Sequence, residues 1–255
     1  MSVANPRLAG PQRFGRIIVV GGGCYGGYYV RQLRRAVDAG AVRCAHVVVV
    51  DRDPACAVAA AVEHGDPLVT LDVAEWRDWF GRNLAHAAPD DAIVPSPLMP
   101  HLLRDWLVDR ARARWPERDV RTEPLPAPPD VPWQRAAPDG THYVSYATWT
   151  CPINCIEPDV CPHTKGPRDW SLAPALRTYA ERAPGVQQAF LFQCLHRAYG
   201  VGMIDVGELL AADAAIAAAG ASGAAVDALV GTVSHCHGAV SRVVVTRGTA
   251  DCRGG

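Results

Sequence analysis

Three thiols stand within eleven residues in the run Cys151-Pro-Ile-Asn-Cys155-Ile-Glu157-Pro-Asp-Val-Cys161-Pro-His163. Proline follows two of the cysteines and the glutamate, so the run cannot be a regular helix or a central strand. A loop wrapped around something is the natural expectation. Metal ions need several ligands converging on one point, and short loops bring neighbouring thiolates together at little entropic cost. The spacings C-x3-C and C-x5-C match neither the commonest zinc knuckle nor the bacterial ferredoxin run, which leaves zinc and an iron–sulfur cluster both open. A fourth ligand must come from elsewhere. His235-Cys236-His237, expected in a turn between two strands, is the leading source, with Cys194 and His163 as alternatives. Three Cys and one His suit tetrahedral zinc, whereas four Cys suit a cluster. Redox-active thiols and inert packing are the competing readings. Glu157 and Lys165 lie in the same run and are the catalytic candidates, as a proton carrier and a holder of an anionic group.

A second constellation opens the chain. Ile17 to Val20 form a continuous apolar run, and Gly21-Gly22-Gly23-Cys24-Tyr25-Gly26 follows at once. A buried strand, a G-x-G-x-x-G turn and a helix are the parts that hold a dinucleotide diphosphate. In that arrangement Gly21 permits the tight turn, Gly23 admits the diphosphate to the backbone, and Gly26 allows close packing of helix on strand. Cys24 and Tyr25 open the helix beside the nucleotide. A second apolar run, Val47 to Val50, ends in Asp51, which would take ribose hydroxyls, while Arg52 beside it could take a 2′-phosphate. NAD is favoured over NADP. Ser96, just after a third such run, is a further candidate contact.

These groups need elements to position them. Apolar periodicity predicts a helix over 25–39 with Tyr29, Leu33, Ala36 and Val37 on one face, a helix over 55–64, a strand over 68–71 and a helix over 74–87. Trp76, Trp79, Phe80 and Leu84 form a core stripe on the last of these. A strand over 91–94 and a helix over 98–115 follow, the latter with an Arg-rich side expected to face solvent. The proline-rich stretch that comes next reads as a connection. Beyond it lie a strand over 142–148, a helix over 172–182, a strand over 189–195, a helix over 206–219 and two strands over 226–234 and 240–246. The tail from Gly248 is expected to fray. The fold class is therefore α/β, a doubly wound parallel sheet with a Cys-rich loop and a smaller C-terminal α+β part. Residues 1–115 form the nucleotide-binding domain, 116–140 the connection, and 141–255 the Cys/His-containing part.

Residues Arg16 to about Val94 resemble the NAD(P)-binding Rossmann superfamily. The motifs Ile-Val-Val-Gly-Gly-Gly and Val-Val-Asp51-Arg52-Asp53-Pro54 are similar to the N-terminal domains of TrkA-type potassium-uptake regulators and saccharopine-dehydrogenase-like proteins. The resemblance covers the first third of the chain and implies a dinucleotide at Gly21, Gly23, Gly26 and Asp51. It transfers no reaction, because the cysteine run belongs to neither family's pattern.

A formal net charge of -1 without basic runs argues against a nucleic-acid partner. The longest apolar stretch, Leu209 to Ala219, is broken by Asp213, so no membrane insertion is expected, and Met1 to Arg16 lack a signal-peptide pattern. A cytoplasmic location follows as the expectation, with a small-molecule substrate or effector as partner and a homodimer as the common default. Of the 25 basic residues only Lys165 is a lysine, a sign of coding bias. The first functional reading is an NAD(P)-binding redox protein, an oxidoreductase or a redox sensor, with a Cys/His metal centre. A nucleotide-sensing regulator with structural zinc and an S-adenosylmethionine-dependent methyltransferase are the alternatives.

Overall fold

The apolar runs near the start form strands because both of their faces are covered. In the computed structural model, which describes residues 11–63, 65–152 and 155–248, β1 (Gln12–Arg13) precedes β2 (Arg16–Val20), whose Ile17, Ile18 and Val19 are fully buried. Then come α1 (Cys24–Asp38), β3 (Val42–Arg43), β4 (His46–Asp51), α2 (Ala59–Glu63), β5 (Val69–Val73), α3 (Trp76–Asn83) and β6 (Ala92–Val94). The chain continues through α4 (Leu102–Arg114), β7 (Val120–Glu123), β8 (Trp133–Ala136) and β9 (His142–Ser145). An irregular stretch follows. Last come α5 (Leu172–Arg182), β10 (Gln188–Gln193), β11 (Leu195–Ala198), β12 (Val201–Asp205), α6 (Val206–Gly220), β13 (Val226–Val233) and β14 (His237–Val245).

Contacts divide the chain into two units. The first comprises residues up to Pro100 with Trp149–Trp170 and Gln193–Glu208; the second comprises His101–Thr148, Ser171–Phe192 and residues from Leu209 on. The expected boundary in the proline-rich stretch is thus replaced by one between Pro100 and His101. That stretch carries β7, which pairs with β14, and β8, which pairs with β9. Sparse apolar periodicity hid both strands: β8 is largely exposed, and β7 buries little beyond Val120. Residues 141–255 are likewise shared between the two units.

The first unit's sheet has the order β11-β12-β6-β2-β4-β5. β6, β2, β4 and β5 are parallel to their neighbours, and β12 joins β6 antiparallel. β2, β4 and β6 are covered on both faces, which is why they read as apolar runs, whereas the edge strand β5 buries only Val69. The helix α1 seats Val30, Leu33 and Ala36 in the core, with Tyr29 and Val37 packed at its edge. β11 and β12 form a hairpin through Tyr199 and Gly200, both with positive φ (49° and 80°), the geometry of a two-residue turn. The second unit's sheet has the order β10-β13-β14-β9-β8, with β7 also on β14. Its core includes Leu172, Leu176 and Ala180 of α5 packed with Leu229, Val233 and Val240. The architecture is mixed α/β.

Three helices are shorter than expected: α3 covers 76–83 and gives way to a 3-10 turn at Leu84–His86. α2 covers 59–63, because Asp53 turns the preceding residues by accepting from the backbone N–H of Ala55, and His64 lies outside the described residues. α4 begins at Leu102, after the turn that Ser96 makes. Its arginines are not all solvated: Arg104 is buried and donates to Thr141 Oγ1 and Ser241 Oγ. The first ten residues and the tail after Gly248 lie outside the described residues. No helix among those described is long and apolar enough to cross a membrane.

Candidate functional site

The glycine turn has a different reason for each glycine. Gly21 has φ +92°, which a side chain rarely adopts. A Cβ on Gly26 would lie 1.8 Å from the Gly21 carbonyl oxygen, so only glycine lets α1 start this close to the turn. At Gly23 a Cβ would meet nothing within 4 Å. Gly23 is the N-cap of α1, no side chain caps it, and the first turn holds no acid. The space beside Gly23 at the opening of this helix is therefore free of other side chains, and the helix dipole puts its positive end there. Cys24 and Tyr25 are exposed there.

Asp51 ends β4 beside this turn. Its Oδ2 accepts from the Gly22 N–H at 2.6 Å and its Oδ1 from the Asp53 N–H at 2.9 Å, which fixes the carboxylate while leaving each oxygen further acceptor capacity. Arg52 is exposed and lies 3.6 Å from the Glu75 carboxylate, a weak surface pair. Trp76 donates to the Val50 carbonyl at 2.9 Å, and its ring would touch a Cβ on Gly21 at 3.3 Å, so it covers one flank of the turn. Ser96 is buried after β6 and accepts from the Leu98 N–H at 3.2 Å, a turn-forming contact. Tyr25, Val73 and Leu98 are exposed apolar side chains following β2, ending β5 and following β6 respectively.

The cysteine run folds into this same first unit. Its second part is a tight turn: Val160 bridges Pro167, the Cys161 N–H reaches the Gly166 carbonyl, and the Lys165 N–H reaches the Cys161 carbonyl, both at 2.9 Å. Lys165 takes φ +59° and its side chain is exposed. This geometry aims backbone N–H groups at the Cys161 sulfur. The Thr164 N–H chiefly lowers that thiol's pKa; burial opposes, and the Thr164 hydroxyl, the His163 N–H and the Lys165 charge reinforce it. At Cys151 burial raises the pKa, as do Cys155, Cys161 and Glu157, while the adjacent Trp149 indole N–H lowers it. The Trp149 ring also stacks on His163, with centroids 4.5 Å apart.

Glu157 is buried with φ +50°, and its carbonyl accepts from Arg168 Nε at 3.1 Å. Its charge raises the pKa of Cys151, Cys194 and His196. Cys194 precedes β11 and His196 lies within it, two residues apart and so on one face. Both sit over Gly202 of β12: a Cβ there would lie 2.5 Å from Cys194 Sγ and 3.8 Å from His196 Nε2. Burial, aided by Glu157, pushes the Cys194 thiol up to about 12. Burial lowers His196 against the pull of Glu157. Ile204 faces Ile93 and Asp205 faces Ala92, so continuing the register puts Gly202 and His196 level with Pro95, at the C-terminal end of β6. Tyr29 of α1 is raised by burial and then by Cys194.

His235 and Cys236 lie in the expected turn between β13 and β14 of the second unit, and His237 opens β14. His235 Nδ1 lies 2.9 Å from Ser171 Oγ, and His237 Nδ1 lies 3.0 Å from Ser145 Oγ. Among the described residues no three His, Cys, Asp or Glu side chains already stand arranged around a metal position. The sequence reading missed His196, Gly202 and Trp149. The two-residue spacing of Cys194 and His196 was the visible signal, but it required knowing that a strand passes there.

A family profile described as "Uncharacterized protein, C-terminal domain" matches residues 103–246. No curated protein matches the chain, and no solved structure does.

Proposed function

We propose, from the premise that this chain belongs to the AF_1314_C family by its residues 103–246, that its first unit is a Rossmann-like, NAD(P)-binding redox unit. The glycine turn that supports this reading lies outside the family match. One observation carries it: at the start of α1 a Cβ on Gly23 would find nothing within 4 Å, while the flanking glycines are held by sterics. An unfilled cradle at a 15-residue helix's N-terminus suits a diphosphate. Asp51, held by the Gly22 N–H, suits ribose hydroxyls and favours NAD over NADP. The exposed apolar residues Tyr25, Val73 and Leu98 suit the flat rings of a nucleotide.

A bound nicotinamide supplies hydride exchange with a small-molecule substrate or effector. Glu157, buried and acting by its charge on His196 and Cys194, is the residue suited to hold or move a proton. The thiol-bearing run completes the reading as a zinc or iron–sulfur centre in the same unit.

Titration calorimetry and thermal shift with NADH, NADPH and S-adenosylmethionine test the proposal. NADH at about 100 times its dissociation constant should add ~2.7 kcal/mol of stability. Binding of S-adenosylmethionine with neither dinucleotide would transfer the site to methyl-group chemistry, and binding of none would overturn the nucleotide reading. A regulator differs from an oxidoreductase by binding NADH without turnover.

A further inference from the structure

We propose that His196, on the β11–β12 hairpin of the first unit, is the side chain that meets the nicotinamide end of the dinucleotide and hydrogen-bonds the oxygen of a small carbonyl or alcohol substrate there. This rests on the reading of the first unit as a nucleotide-binding unit, and it names a residue and a substrate class for that site. Strand order gives the side on which to look. The order β11-β12-β6-β2-β4-β5 reverses between β2 and β6: from β2 the chain moves out through β4 and β5, then crosses to β6 on the other side. A dinucleotide lies across the crevice at such a reversal. With Asp51 of β4 on the adenosine ribose and the diphosphate at Gly23, the nicotinamide half falls on the β6 side.

Pairing then sets one row of residues at that end of the sheet. Val19 pairs with Val94 and Ile93 with Ile204, so continuing these registers aligns Val20 with Pro95 and Pro95 with Gly202. His196 pairs with Gly202 directly. Val20 is the last residue before the glycine turn, and strands lie about 4.8 Å apart, which puts Gly202 about 10 Å from β2. The imidazole reaches back from β11 over β12: its Nε2 is 3.8 Å from where a Cβ on Gly202 would lie, and the Cys194 sulfur stands 2.5 Å from the same point. Glycine at 202 therefore leaves an imidazole and a thiol, both half-buried, at the surface of the row. Val20 and Pro95 carry no polar side-chain atom, and Ser96 beside them is buried and accepts from the Leu98 N–H. A thiol hydrogen-bonds weakly, whereas a neutral imidazole carries one donor and one acceptor, which match a carbonyl oxygen in one oxidation state of a substrate and a hydroxyl in the other.

The full-length chain, with its histidines isotopically labelled, is titrated with NADH and with ADP-ribose, which lacks the nicotinamide. The His196 ring resonances, assigned by their loss in His196→Gln, should show nuclear Overhauser contacts to the nicotinamide protons in the NADH complex. Calorimetry on His196→Trp, whose larger ring fills the space beside the imidazole's place, should show a loss of NADH affinity of at least about ten-fold and an ADP-ribose affinity within about two-fold of wild type. The Overhauser contact is read on the wild type and so stands even where His196→Trp does not fold. Binding of both ligands without that contact, or NADH and ADP-ribose affinities that stay as in wild type in His196→Trp, overturns the assignment of His196 while leaving the nucleotide reading in place. A wild-type chain that binds neither ligand overturns both.

Discussion

At the scale of single residues, neighbouring glycines separate stability from binding. Gly26→Ala drives a methyl group into the Gly21 carbonyl at 1.8 Å, and neither partner is a flexible side chain. It should cost about 3 kcal/mol or more, read from the urea midpoint. Gly23→Ala meets no atom within 4 Å and should change stability by less than about 1 kcal/mol. It should nevertheless weaken NADH binding about ten-fold or more, since the methyl group stands where a diphosphate would approach. Equal affinity in wild type and Gly23→Ala would show that the turn serves only the packing of α1. A second residue-scale expectation concerns pH. Burial lowers the pKa of His142 from its ordinary value of 6.5, and its Nε2 lies 2.8 Å from Gln134 Oε1. As pH falls through that ordinary value the unfolded chain takes up the proton first, so the stabilisation is full above it and is lost below. The unfolding free energy should fall more steeply between pH 7.5 and 5.5 in the wild type than in His142→Gln; equal slopes would place the titration elsewhere.

At the scale of elements, the β11–β12 hairpin depends on a missing side chain. Gly202→Ala puts a Cβ 2.5 Å from Cys194 Sγ and should cost about 1–3 kcal/mol. If the sulfur is the obstacle, most of that cost disappears in the Cys194→Ala background, so a double-mutant cycle by denaturant titration should give a coupling of about 1 kcal/mol or more. Additive penalties would mean that β12 needs glycine for another reason. The second unit has its own keystone in Arg118, which is buried against Trp115 and donates to the carbonyls of Thr246, Gly220 and Ala224. Arg118→Met leaves three carbonyls without that donor and should cost about 3 kcal/mol by the same titration. Strongly patterned elements were readable from sequence: α1, α5, α6, β2, β4, β13 and β14 lie within a few residues of where periodicity puts them, because both faces of those strands and one face of α1 and α5 are buried. β7, β8 and β12 were not readable. β7 and β8 are short and largely unburied; β7 pairs with the distant β14 and β8 with the adjacent β9, so pairing rather than local pattern makes them strands.

At the scale of the molecule, order along the chain and order in space part company. The glycine turn and the thiol run were legible as chemistry, yet nothing in their sequence indicates that Trp149–Trp170 and Gln193–Glu208 return to the unit that residues up to Pro100 begin. Local periodicity reports which face of an element is buried and is silent about which partner buries it. The consequence is a prediction about fragments. In the first unit's sheet β6 is flanked by β2 and by β12, and β12 arrives more than one hundred residues later. A fragment ending at residue 100 or 148 would expose the apolar edge of β6 and uncover Val30 and Leu33 of α1, whose core includes Ala198, Val201 and Met203 from the hairpin. An unpaired edge of this kind invites aggregation, and the lost apolar burial is several side chains' worth, at about 1.5–3 kcal/mol each. Residues 1–148 expressed alone should therefore be unfolded or aggregated, with a non-cooperative thermal transition by circular dichroism, whereas the full chain unfolds cooperatively. A monomeric, cooperatively folded 1–148 fragment that binds NADH as the full chain does would mean that the strands β6, β2, β4 and β5 suffice, and that the thiol run and the hairpin are later additions to a self-sufficient nucleotide site.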